Sequence, residues 1–165
     1  MTVLKGTRLV LRPISGDDAS WLLAHWNRPE VRRFLFDDEA VSATLVTEIV
    51  EDSAEDFDRY GYGLWLLLEE DEPVGVCGLR ATDDGQAELL YSVDPPHWGR
   101  GLATESARAV LDHVGPITVI AETDAGNHAS ERVTAALGMS LEGERPGPNG
   151  ILKRFVLPGE GESGA

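Results

Sequence analysis

Two prolines followed closely by two glycines fix the middle of this chain. Proline cannot donate to a strand ladder, so Pro95-Pro96 ends the short strand predicted over Glu88–Val93. Past Gly99 and Gly101, Ala103, Ala107, Val110, Leu111 and Val114 fall on one helical face, closed by Gly115-Pro116. Trp98–Thr104 is therefore a loop between a strand and a helix. Its glycines let the backbone come close to a ligand in conformations that a side chain would forbid. The helix behind them presents unpaired N–H groups and the positive end of its dipole. Together these make an anion site suited to a pyrophosphate.

Around this loop the chain alternates strand and helix patterns. Thr7–Pro13, with Leu9, Val10 and Leu11, reads as a strand. Asp17 or Asp18 opens a helix carrying Trp21, Leu22 and Trp26, with Pro29 as its stop. Ser42 caps a second helix, with Leu45, Val46, Ile49 and Val50 at helical spacing. Gly63–Glu69 and Pro73–Leu79 form a hairpin across the polar turn Glu70–Glu72. Ile117–Ala121 is a compact apolar strand. Asn127 caps a last helix whose inner face is Ala129, Val133, Ala136 and Leu137, with Gly138 past its end. Met139–Gly143 and Ile151–Leu157 are two final strands joined by Arg145–Gly150. The order β-α-α-β-β-β-α-β-α-β-β predicts a mixed α/β (α+β) fold, a mixed sheet flanked by about four helices. Residues 1–157 read as one domain and Pro158–Ala165, rich in Gly, Glu and Ser, as a disordered tail.

The formal net charge of −15 gives no basic field for nucleic acid or an anionic membrane. It suits a cationic acceptor such as an amine, although solubility alone is the plainer reading. An anionic cofactor then depends on the local donors of the loop. No apolar run is long enough to span a membrane, and Met1–Thr7 lacks the pattern of a secretory signal. The sole cysteine, Cys77, fits a reducing cytoplasm and reads as a small core hydrophobe. His25, His97, His113 and His128 show no metal-ligand spacing, so no metal is expected. The expected particle is a cytoplasmic monomer or homodimer.

Two other phosphate motifs compete for the loop. A P-loop needs a Gly-Lys-Ser/Thr ending, which the chain lacks. A dinucleotide fingerprint comes closer, because Glu122 lies near the distance expected for a ribose-binding acid. Thr104, however, stands where its third Gly or Ala belongs, and too little chain follows for further βα units. A small dinucleotide-dependent oxidoreductase remains an alternative at this point.

Glu88-Leu89-Leu90-Tyr91-Ser92-Val93 followed by His97-Trp98-Gly99-Arg100-Gly101-Leu102-Ala103-Thr104-Glu105 resembles the strand, pyrophosphate loop and helix of the GNAT superfamily of N-acetyltransferases. It is most similar to the ribosomal-protein N-terminal (RimJ/RimL-like) branch, with its Trp-Gly-basic-Gly-x-Ala-Thr-Glu run. Asn127-His128-Ala129-Ser130 and Leu137-Gly138-Met139 resemble that branch's Asn-x-x-Ser helix and Leu-Gly-Phe ending. Leu9–Pro13 and Asn27–Val31 resemble its opening. The resemblance covers all but the tail.

The resemblance implies a sheet with a V-shaped split between its fourth and fifth strands, Glu88–Val93 and Ile117–Ala121. Acetyl-CoA is the implied cosubstrate. Its pantetheine would pair with the first of these strands near Tyr91, Ser92 and Val93, and its pyrophosphate would meet the loop Trp98, Gly99, Arg100, Gly101, Leu102, Ala103 and Thr104. Asn127 would bond the pantetheine arm. Arg100, Arg108 and Arg132 are candidate phosphate partners, Arg100 first, against the plainer reading of solvated helix arginines. Many relatives place a Tyr acid four residues before the glycine that is Gly138 here. This chain has Thr134, so the donor to the leaving thiolate passes to Ser130. Glu88 is the expected base, acting through water on the acceptor amine, and a strand amide near Leu90–Val93 the expected oxyanion donor. Phe34, Phe36 and Tyr62 are candidates to line the acceptor cleft, beside Asp37, Asp38 and Glu39. The implied reaction is direct acetyl transfer to a primary amine, of a protein N-terminus or a small molecule. A non-catalytic acyl-CoA-binding module is the other reading.

Overall fold

A computed structural model describes residues 2–159. Eight strands form one sheet in the order β1-β2-β3-β4-β5-β6-β8-β7. They are β1 Leu4–Lys5, β2 Val10–Pro13, β3 Leu64–Glu69, β4 Glu72–Ala81, β5 Ala87–Val93, β6 Val119–Asp124, β7 Ser140–Gly147 and β8 Gly150–Leu157. Every neighbouring pair is antiparallel except β5 and β6. A dinucleotide domain needs several adjacent parallel strands, so this topology removes the oxidoreductase alternative.

Five helices flank the sheet, one more than the sequence predicted: α1 Ala19–Trp26, α2 Pro29–Leu35, α3 Ala43–Tyr60, α4 Leu102–Val114 and α5 His128–Ala136. The extra one is α2. Pro29 starts it instead of only stopping α1, because a helix's first residue has no intrahelical N–H bond to lose. Ser42 caps α3, its Oγ accepting from Leu45 N at 3.1 Å, and Gly61 ends it with φ +78°. Leu22, Trp26, Val31, Val46, Leu64, Leu66 and Val76 fill the core under α1, α2 and α3. Trp65, Leu67, Cys77, Leu79, Leu89, Leu102, Ala107 and Val110 fill the opposite one, under α4. Alternating β3 residues thus serve opposite faces, which explains its unbroken apolar run.

Four boundaries differ from the sequence reading. The β3–β4 turn is only Glu70 and Asp71, both at positive φ (50° and 65°), the two-residue geometry that matches strand twist. β6 continues through polar Glu122–Asp124 because β8 pairs alongside it as far as Asp124↔Leu152. β7 runs through Pro146 to Gly147, where a loop was expected; as the outermost strand it can carry a residue that donates no ladder bond. The tail was expected to start at Pro158, yet Gly159 is buried and its N–H donates to Thr118 Oγ1 at 3.0 Å. Residues 160–165 of that expected tail lie outside the described residues.

Candidate active site

β5 and β6 are paired only at Ala87↔Val119 and Glu88↔Ile120. Beyond these two pairs they separate, so the facing edges from Leu89 and Ala121 onward lose their ladder partners. Backbone N–H and C=O groups need partners, and a gap of this kind accepts an extended chain as an added strand. The short edge strand β1 moves the split from fourth-and-fifth to fifth-and-sixth in the count; the strands are the predicted ones.

A cleft of about 680 Å³ occupies the split. Of the residues that the family resemblance places against the cofactor, all but Arg108 line it: Tyr91, Ser92 and Val93 of β5, the whole loop Trp98–Thr104, Asn127 and Arg132. Ser130 lines it as well. Gly99 and Gly101 sit at φ +78° and +74°, in the left-handed region that favours glycine, and Gly101 is the N-cap residue of α4. Trp98 is half exposed and its indole N–H donates to the Val93 carbonyl at 2.6 Å. Arg100 reaches back to Glu69, with Nη1 donating to Oε1 at 2.8 Å, and that hydrogen bond holds the Glu69 carboxyl below its usual range. Arg108 turns away, capping the α5 carbonyl of Ala136 at 2.9 Å.

Across the split, Asn127 caps α5, its Oδ1 accepting from Ser130 N at 3.2 Å. The Tyr91 hydroxyl donates to Ser130 Oγ at 3.0 Å. Burial pushes the Tyr91 phenol up to about 12, so it stays protonated. Thr134 is buried, its hydroxyl donating to the Glu131 carbonyl at 2.9 Å. The tyrosine of this site thus arrives from β5, a cross-sheet approach that no local spacing on α5 could announce.

Glu88 is the departure. It lies on the still-paired stretch of the strands, and Arg80 of β4 donates to its carboxylate. The cleft lining on β5 begins one residue later, at Leu89. Glu88 therefore stands one residue outside the cleft lining, with its carboxylate engaged by Arg80. Of the aromatic candidates only Phe34 reaches the cleft; Phe36 packs edge-on against Trp26, and Tyr62 is buried against Tyr60. Two residues not singled out by the sequence stand in the cleft wall at the end of β6. Thr123 Oγ1 and Asp124 Oδ1 are buried and have no hydrogen-bond partner among the described residues. Burial, and then the nearby charge of Asp37, raise the Asp124 carboxyl, against the pull of Asn149 and Arg33.

Cys77 is fully buried, with its thiol pushed up to about 12 by burial. It is a core side chain without a thiolate to react. Among the described residues no group of three or more His, Cys, Asp or Glu is placed to hold a metal ion. No helix among them is long and apolar enough to cross a membrane.

A family model for the acetyltransferase (GNAT) domain matches residues 8–140. The uncharacterized N-acetyltransferase p20 of Bacillus licheniformis is 31% identical over 120 residues, which span 68% of this chain and 66% of p20. A Bordetella pertussis protein assigned to the GnaT-family acetyltransferases superposes with a TM-score of 0.82 at 25% identity, over 94% of this chain and 99% of its own. RimL, the ribosomal L7/L12 alpha-N-protein acetyltransferase, superposes in its complex with coenzyme A with a TM-score of 0.82 over 98% of this chain and 100% of its own. Its identity is 18%, so this likeness bears on the fold. The chain belongs to the GNAT acetyltransferase family, and its class is that of acetyl-CoA-dependent N-acetyltransferases.

Proposed function

We propose that the protein transfers the acetyl group of acetyl-CoA directly to a primary amine, and that α-amines are better acceptors than lysine-type amines. The observation that carries this reading is the half-paired β5–β6 split, whose open part ends at the glycine loop and the N-terminus of α4. Pantetheine fits the split as a strand would, hydrogen-bonding the free edge of β5. The amides of Arg100–Thr104 would meet the pyrophosphate. When bound, acetyl-CoA supplies the activated thioester.

The chain's own groups then divide the work. The free β5 amides beyond Glu88 offer a donor where negative charge develops on the carbonyl oxygen. Ser130 accepts from Tyr91, which leaves its own hydroxyl hydrogen for the departing sulfur. Asp124 supports a cationic acceptor. Its carboxylate oxygen is buried without a partner, and a buried anion gains strongly from a matching ammonium. Asp124 also borders a second pocket of about 270 Å³ with Arg33, Phe34 and Asn149, a route by which an amine would enter. RimL is by name an α-N-protein acetyltransferase, which lends the α-amine preference support by analogy.

Titration with acetyl-CoA, followed by a thiol-release assay across α-amine peptides, lysine peptides and polyamines, tests the reading. Thiol release that depends on an amine supports it. Binding of acetyl-CoA with no release on any amine would point to a binding module instead.

A further inference from the structure

The buried polar chain that ends in the cleft at Ser92 has no part in the reaction as described so far. His25 of α1 has a fully buried side chain, stacked on Trp21 at 4.7 Å. Both ring nitrogens are engaged, Nδ1 with Asp94 Oδ1 and Nε2 with Ser92 Oγ, each at 2.8 Å. Asp94 also receives Arg28 Nε at 2.9 Å, and an aspartate carboxylate only accepts. The neutral ring must therefore carry its hydrogen on Nδ1 and donate it to Asp94. That leaves Nε2 as the acceptor of the Ser92 hydroxyl hydrogen. Burial is the largest influence on the ring and lowers its pKa, with Arg28 acting in the same direction and Asp94 in opposition. These are the charged groups that face it, and they leave it neutral near pH 7 with Nε2 turned to the Ser92 hydroxyl.

Ser92 shares its face of β5 with Leu90, toward α1 and α2, and α2 contributes Glu30, Val31 and Phe34 to the same cleft. A serine, a histidine and an aspartate in sequence, each hydrogen-bonded to the next, form a proton path recognised by geometry rather than by order in the chain. Here the path starts at the cleft wall.

We propose that Ser92 is the group through which the acceptor amine loses its proton, with His25 and Asp94 as its positioning residues. This rests on the amine-acetylation reading above. Once the amine nitrogen has bonded to the thioester carbonyl carbon, its surplus proton passes to Ser92 Oγ while the Ser92 proton passes to His25 Nε2. The imidazolium so formed is held against Asp94. The carbon–sulfur bond then breaks and the electron pair leaves on sulfur as a thiolate, which takes a proton from cleft water through the Ser130 hydroxyl. His25, buried and bonded to Ser92, hands its proton back to Ser92 Oγ, from which the amine's surplus proton passes to the same cleft water. Glu88, held by Arg80 outside the cleft, takes no part.

The test uses wild type, Ser92→Ala and His25→Gln, with acetyl-CoA and a peptide whose only amine is its α-amine. Imidazole nitrogen NMR of the free wild-type protein should show His25 with hydrogen on Nδ1 and a bare Nε2. Ser92→Ala keeps the His25–Asp94 bond and the β5 backbone, and its acetyl-CoA affinity is measured beside kcat, a loss confined to affinity being a further result that would overturn the relay. Its kcat should fall about 100-fold near neutrality, the low end for a positioned proton acceptor, and recover as pH approaches the amine's own pKa. His25→Gln should match it in kcat. If His25→Gln fails to fold, Ser92→Ala carries the comparison alone. A hydrogen on Nε2, full kcat in Ser92→Ala, or an acetyl adduct on Ser92 after acetyl-CoA without acceptor would each overturn the relay. So would transfer of the pH effect to Asp124→Asn. Absence of amine acetylation by wild type would instead overturn the reading beneath it.

Discussion

Tyr91 and Ser130 meet across the split, the phenol of β5 donating to the hydroxyl of α5 at 3.0 Å. A second contact reaches the Ser130 carbonyl at 3.3 Å. Ser130 holds its place in α5 through its own N–H, which Asn127 accepts, so its side chain is not needed for the cap. Ser130→Ala should therefore leave stability and acetyl-CoA affinity nearly intact and lower kcat, since the hydroxyl acts as charge grows on sulfur. Tyr91→Phe, which removes the hydroxyl's contacts to Ser130 Oγ and the Ser130 carbonyl but leaves the Ser130 hydroxyl in place, should have a smaller effect of the same kind. Steady-state kinetics beside calorimetric acetyl-CoA titration measures both. A loss confined to affinity would reassign Ser130 to cofactor binding.

Gly101 is held at φ +74°, and the nearest atom to a Cβ placed there would be Arg8 Nη2 at 3.7 Å. A side chain has room, so the obstacle is the backbone. The left-handed region costs a residue with a Cβ about 1–2 kcal/mol, and a β-branched one more. Gly101→Val should move the loop amides and weaken acetyl-CoA binding by about tenfold or more, since roughly 1.4 kcal/mol is tenfold. Gly101→Asn, which tolerates this region, should bind nearly as wild type. Equal affinity in all three proteins would detach the loop from the pyrophosphate.

Glu105, in the first turn of α4, ties the loop helix to the chain's N-terminal edge. Its carboxylate accepts from Arg8 N at 2.9 Å, Leu9 N at 3.0 Å and Arg8 Nε at 2.9 Å. Partial burial alone would raise its pKa, but these bonds outweigh it and the net shift is downward. A carboxyl lowered by folding adds stability above its ordinary pKa of 4.5 and loses it as pH falls through the lowered value. Glu105→Gln should thus cost about 1–3 kcal/mol near pH 7, with the gap to wild type closing in acid. Chemical denaturation at both ends of that range checks the sign.

How much of this was legible depended on how local each signal was. Pro95-Pro96 and the two loop glycines act within a few residues, and the strand, turn and helix lie where they predicted. Asn127 and Ser42 cap their helices by bonds three residues long. The contacts that join β5 to the rest of the site were not readable. His25 lies 67 residues from Ser92, and Tyr91 lies 39 from Ser130. Glu88 shows the same limit from the other side. The motif placed it on the right strand, but only the extent of β5–β6 pairing decides which β5 residues face the cleft. Asp124 was hidden because a polar residue after an apolar run reads as a strand's end, whereas β8 carries β6 onward beside it.

His25 gives stability a pH dependence opposite in sense to that of a histidine whose pKa is raised by folding. Burial lowers its pKa from 6.5. As pH falls below about 6.5, the unfolded chain takes up a proton that the folded protein refuses. Stability should be full above that pH and decline through the window down to the lowered value. His25→Gln has no proton to take up in either state, so its curve should be flatter across the same window. Urea midpoints for the two proteins on either side of about pH 6.5 decide it. Parallel curves would mean that folding leaves the His25 pKa unshifted, and a wild-type curve rising toward acid would mean that His25 is charged in the fold.

The acceptor preference follows from the weakness of the groups that face the amine. An α-amine has a pKa of roughly 7.7–8.0, so a useful fraction is neutral at physiological pH, while a lysine amine near 10.4 is more than two units worse, about 3 kcal/mol. On the acceptor side the cleft offers a buried carboxylate at Asp124 and, at Ser92, a serine backed by the buried His25. Asp124 assists capture of the cation but opposes its deprotonation, because a nearby anion favours the charged ammonium. Such a site serves an amine that already loses its proton easily. Among peptides of equal length, kcat/KM should be higher for the one with only an α-amine than for the one with only an ε-amine, and the gap should narrow with rising pH. Asp124→Asn should raise KM for both while leaving the acetyl-CoA Kd unchanged. A higher kcat/KM on the ε-amine peptide would reverse the acceptor assignment, and an unchanged KM in Asp124→Asn would remove this carboxylate from the acceptor site.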